Sequence, residues 1–231
     1  MKILIAGDSW GCGEWGWDSN KRKWKDGDKH DESYIITHRG LEYYLIEIGH
    51  DVTNISCGGA SNKEILVKLH RLELQCYDHI IWFQTDPIRD LRPYSDKLVD
   101  TFDNLLTKQN SLIESTYQTL NSFDKKIICL GGCSKLNLNL IKQYTNLSPV
   151  IPSIPELLMP TFIHPKIWFS DWIDQSWRHF DVDSLDNLVY NKTLQDSIFD
   201  NEELFWPDGR HPNRHAHRKL FEYLITHENL S

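Results

Sequence analysis

At 231 residues, with 40% hydrophobic and 25% charged side chains, the chain is long enough to bury a full core and ordinary in composition for a soluble globular protein. Its net charge of −8 argues against a nucleic-acid or anionic-membrane surface, which needs clustered lysine and arginine. No run approaches the roughly 20 apolar residues of a membrane span.

The elements follow in order. Residues 2–6 (KILIA) read as a buried strand running into Gly7-Asp8-Ser9. The opening MKILIAG lacks the long apolar region and cleavage site of a signal peptide, so it is expected to belong to the mature fold. Residues 11–32 lack periodicity and predict a surface loop. Residues 34–48 place Ile35, Leu41, Tyr44, Leu45 and Ile48 at helical spacing, with Gly49 as a stop. DVTNISCGG is a second strand ending in glycines, and Ser61 or Asn62 caps a helix running to about Cys76. HIIWF (79–83) is a third strand, residues 98–122 a helix, and KKIICLGG (125–132) a fourth strand. Prolines at 149, 152, 155, 160 and 165 make 134–165 a loop-rich excursion. Short helices are expected at 166–178 and 184–200, and a last one at 212–227. With no repeat and no linker, residues 1–231 read as a single domain.

Strands alternating with helices predict an α/β fold, a three-layer sandwich with a central parallel sheet of about four to five strands and helices on both faces. Right-handed crossovers place the carboxyl ends of all strands along one edge, where ligand sites of such sheets lie. Four loops converge there, at Gly7-Asp8-Ser9, Cys57-Gly58-Gly59, Gln84-Thr85-Asp86 and Gly131-Gly132.

A serine hydroxyl becomes a nucleophile only when a base takes its proton and donors hold the oxyanion. DGRHPNRHA, near the other end, offers Asp208 and His211 three residues apart, with Pro212 placing His211 just ahead of the last helix. Together these motifs resemble the SGNH (GDSL-type) esterase and lipase superfamily. GDSWG matches its first block, NISCGGASN its second and DGRHPNRHA its fifth. The resemblance implies a flavodoxin-like SGNH fold with Ser9 as nucleophile, His211 as base and Asp208 as the carboxylate orienting it. It also implies oxyanion donors at the backbone of Ser9 and at Gly59, with Gly58 one residue away. The third block departs from the pattern, because Asp86 stands where the family has an asparagine whose amide donates to the oxyanion. An ionised Asp86 would repel that charge. The alternatives are a protonated Asp86, donation from Thr85 or Gln84, pairing of Asp86 with Arg89 or Arg92, or weakened hydrolysis.

Competing patterns weigh less. G-x-S-x-G also fits an α/β-hydrolase elbow, but only one strand precedes it here. The glycines lack the Lys-Ser/Thr that closes a phosphate loop. Among His211, His215 and His217 a four-residue interval could chelate zinc on a helix, but Pro212 places His211 outside it and only Asp208 could complete a three-ligand site. No cofactor is expected. Taken alone, Ser9 is a helix cap, Asp208 a turn residue and His211 a surface histidine; the pairing across the chain lifts all three. The expected activity is hydrolysis of an ester, with acyl or acetyl groups on a carbohydrate as one candidate substrate class. The competing reading is a catalytically weak or inactive scaffold used for binding or assembly, for example a phage virion component. Trp15, Trp17 and Trp24 would then offer a protein partner surface, against the plainer reading that they cover a sheet edge. Five cysteines (12, 57, 76, 129 and 133), odd in number and without a C-x-x-C pair, read as free thiols in a reducing compartment, hence a cytoplasmic or virion location.

Overall fold

The computed structural model describes residues 1–17, 34–87, 89–90, 102–159, 201–205, 211–228 and 230. Asp208, Trp24, Arg92 and the helices expected at 166–178 and 184–200 lie outside them.

Five parallel strands form the sheet, β1 (Lys2–Ala6), β4 (Asp51–Asn54), β5 (His79–Gln84), β6 (Ile127–Gly131) and β7 (Leu147–Ile151), in the order β4-β1-β5-β6-β7. The strands β1, β5 and β6 are continuous apolar runs because helices cover both faces. Alternation along them divides the core. Ile3, Ile5, Ile81, Phe83, Ile128 and Leu130 face one layer, which includes α2 (Leu41–Glu47) and α8 (Arg214–His227). Leu4, Ala6, Ile80, Trp82, Ile127 and Cys129 face the other, with α3 (Asn62–Leu69) and α4 (Phe102–Ser122). The expected α/β sandwich is the fold observed.

Four segments depart from expectation. The helix expected to run to about Cys76 stops at Leu69 and is followed by a separate short turn at Leu74–Cys76. The predicted loop at 11–32 begins as structure, with a short helix α1 (Ser9–Cys12) and strand β2 (Glu14–Trp17). Residues Tyr34–His38, predicted helical, form β3 and pair antiparallel with β2; the β-branched run Ile35-Ile36-Thr37 favours the extended chain, and Gly40 at φ 55° separates it from α2. The proline-rich excursion supplies the fifth strand, β7. Pro149 is tolerated there because β7 is an edge strand. Two one-turn helices flank it, α5 (Leu138–Ile141) and α6 (Ile154–Leu158), and another, α7 (Glu202–Phe205), precedes the segment that carries His211.

All five cysteines are free thiols, with Cys12, Cys129 and Cys133 buried. Among the described residues no helix is long and apolar enough to cross a membrane.

Candidate active site

Ser9 is the first residue of α1, directly beyond the carboxyl end of β1, and it is 5% exposed. The turn before it is fixed by Asp8. This fully buried carboxylate accepts from the backbone N–H of Trp10 (3.0 Å), the Thr85 hydroxyl (2.6 Å) and Arg89 Nη1 (2.7 Å). Burial alone would lower the Arg89 pKa, but the carboxylates of Asp8 and Asp86 more than offset it and hold the guanidinium charged. Cys12 lies behind the same turn, its thiol pushed up to about 12 by burial and then by Asp8; it is no nucleophile.

His211 arrives from the opposite end of the sequence. Its Nε2 lies 2.9 Å from Ser9 Oγ, across 202 residues of chain. The segment is held at the entrance of α8, where Asn213 caps the helix by accepting from the N–H groups of His215 and Ala216. The Asn213 amide in turn donates to the Glu203 carbonyl, and its N–H to the Leu204 carbonyl, tying the cap to α7. The remaining histidines of the motif go elsewhere. His217 is buried against Gly40, and that burial drives its pKa down to about 4 against the pull of the Gly13 backbone.

Gly59 sits in the turn after β4 at φ 69°, and the N–H of Cys57 donates to the Gly7 carbonyl (3.0 Å), joining the second loop to the first. Asp86 follows β5 and is 2% exposed. The loop carrying it is pinned by Asn62, whose amide donates to the Thr85 carbonyl (3.2 Å) and accepts from the Thr85 N–H (3.1 Å). Ser61 is the actual cap of α3, through a reciprocal capping box with Glu64.

The structure removes two of the substitute donors considered for the third block. The Thr85 hydroxyl is spent on Asp8, and the Gln84 amide donates to Ser134 and Lys135. Arg89 forms its close ion pair with Asp8; its backbone N–H donates to the Asp86 carbonyl (3.1 Å), and the Asp86 side chain adds to its charge environment. Asp86 is left as a buried acidic side chain on the loop after β5.

Sequence reasoning missed the hairpin β2–β3. Trp15 Nε1 donates to the Ser9 carbonyl (2.9 Å), and its indole lies 5.6 Å from the His211 ring between centroids. It also covers Gly58, where an added Cβ would come within 3.0 Å of the indole. A tryptophan in a glycine-rich stretch gave no signal for this placement.

No family model and no curated protein sequence matches the chain. Among solved structures it is similar to a G-D-S-L family protein from Desulfitobacterium hafniense (13% identity, 97% of this chain and 98% of that one, TM-score 0.48). It is also similar to an alpha/beta hydrolase enzyme from the metagenome of Lake Arreo, Spain (13% identity, 97% and 93%, TM-score 0.48). A third is an acetylxylan esterase from Geobacillus stearothermophilus (14% identity, 97% and 92%, TM-score 0.41). At these scores the likeness carries no residue role and no substrate to this chain.

Proposed function

We propose that the chain is a serine ester hydrolase. Ser9 Oγ attacks the ester carbonyl while His211 Nε2 takes its proton, and Asp208 orients the imidazole and stabilises its charged form. Collapse of the tetrahedral intermediate breaks the acyl–oxygen bond, and the alcohol leaves with the proton from His211. Water then attacks the acyl-enzyme, again giving a proton to His211, and the acid is released as Ser9 recovers its proton. Backbone N–H groups of Ser9 and Gly59 hold the oxyanion, with Asp86 adjacent in place of an amide donor. Acyl or acetyl groups on a carbohydrate are the substrate class proposed first.

The observation that carries this reading is the 2.9 Å approach of His211 Nε2 to Ser9 Oγ. That distance is within the reach a general base needs. Ser9→Ala is expected to abolish hydrolysis of p-nitrophenyl acetate and labelling by a fluorophosphonate, with the melting temperature unchanged. Undiminished turnover in that variant removes the mechanism.

One observation favours the second reading, a scaffold of weak or lost activity. Asp86 is buried where an oxyanion donor is expected, and loss of one donor costs about 10²–10³ in turnover. A well-folded wild-type chain that neither hydrolyses the ester nor takes the label would favour that reading.

A further inference from the structure

The two partners of the close contact are held from one place. Glu14 and Trp15 are consecutive in β2, and they reach opposite ends of the Ser9–His211 pair. Trp15 donates to the Ser9 carbonyl at 2.9 Å. Glu14 receives Arg214 through three bonds: the backbone N–H (2.8 Å) and Nε (3.0 Å) to Oε2, and Nη2 (2.7 Å) to Oε1. Arg214 opens α8, three residues after His211.

Neighbours in a regular strand point to opposite faces. Here the pairing of β2 with β3 slips at this dipeptide, since Glu14 faces His38 whereas Trp15 faces Ile36. The extra residue is Thr37, and its hydroxyl donates to Glu14 Oε1 (2.8 Å). Bulges of this kind re-aim side chains beside functional sites. The Glu14 carboxylate is 6% exposed, and a buried charge persists only when paired and fully hydrogen-bonded. Burial pushes its pKa up, yet the bonds from Arg214 and Thr37 bring it down to about 2. The first turn of α8 is held from the other side as well, because the Tyr44 hydroxyl donates to the Arg214 carbonyl (3.0 Å).

We propose that Glu14 and Trp15 are positioning residues, a brace through which one dipeptide of the hairpin sets the separation of Ser9 and His211. The function rests on the ester-hydrolase reading, but the geometry does not. Neither side chain takes part in the bond changes. Each restrains a backbone that carries a reacting group, and misplacement of such groups by about 1 Å costs about 100-fold in rate.

The test uses the full chain with Glu14→Gln, Trp15→Phe, Arg214→Ala and the surface control Glu222→Gln. In Glu14→Gln, kcat for p-nitrophenyl acetate is expected to fall about 100-fold with KM within about twofold. Trp15→Phe keeps a ring and loses the N–H, for a fall of about tenfold. Arg214→Ala retains the backbone N–H to Glu14, so its fall lies between the two, and adding it to Glu14→Gln costs little more, because both act on one contact. Fluorophosphonate labelling slows in the same order, and the control matches wild type. The ring resonances of His211, followed by NMR through a pH titration, shift in Glu14→Gln and Trp15→Phe and stay in place in Glu222→Gln.

An inert wild type whose His211 signals still respond to both variants defeats the hydrolase reading and leaves the brace standing. Folded variants with kcat within twofold of wild type, or with His211 signals that do not move, overturn the brace.

Discussion

The two halves of the candidate site are anchored in different ways. The Ser9 turn is fixed from inside, by a carboxylate at 0% exposure bound to an Arg89 side chain that is 13% exposed. The His211 segment is hung from outside, by a carboxylate at 6% exposure bound to an Arg214 side chain that is 48% exposed. The inner anchor is part of the core, so it cannot be altered without a cost in stability. Arg214 lies half in solvent, where ion pairs contribute little to stability. The outer anchor is therefore expected to govern geometry more than folding, and the two regions separate what a mutation does to stability from what it does to rate.

The largest effect should come from breaking the inner anchor. Arg89→Ala leaves Asp8 charged and buried with only neutral partners, and is expected to lower unfolding free energy by about 3–5 kcal/mol, read from urea denaturation. A loss below about 1 kcal/mol would mean that water replaces the guanidinium and that the contrast between the anchors is false.

A second test concerns the imidazole under the outer anchor. His217 is held neutral, with its pKa lowered by burial to about 4 from an ordinary 6.5. The unfolded chain binds the proton first, so stability is full above pH 6.5 and is lost as pH falls from there toward 4. The loss amounts to about 3 kcal/mol. Thermal melts across that range should show it in wild type and show much less in His217→Phe. A decline of the same depth in the variant would assign the acid limb to other groups.

The smallest change sharpens the comparison at the third loop. Asp86→Asn exchanges a carboxylate for a donor amide beside the proposed oxyanion position, and kcat is expected to rise about tenfold. An unchanged rate would take Asp86 out of contact with the intermediate.

Much of the sheet was legible in the sequence, because β1, β5 and β6 are unbroken apolar runs closed by glycine or polar residues. The meeting of Ser9 and His211 was legible from the GDSWG and DGRHPNRHA motifs, whose resemblance to the SGNH pattern implied that the two residues act together. The hairpin was not. Leu41 and Leu45 keep a helical interval within α2, but Ile35 lies six residues before Leu41, off that interval and beyond the break at Gly40. β7 was hidden by Pro149, which reads as a loop until the strand is known to lie at an edge. The pairings of Asp8 with Arg89 and Glu14 with Arg214 span 81 and 200 residues. Neither leaves a local pattern, since charge complementarity at such separation is fixed only by the finished topology.

The separation of 202 residues between hydroxyl and imidazole sets a timetable for biosynthesis. A ribosome adding about 5–20 residues per second delivers Ser9 at least about ten seconds before His211. Over that interval the growing polypeptide holds the proposed nucleophile without its proposed base. Under the proposed function, reactivity switches on only after His211 has been made and α8 has settled against the sheet.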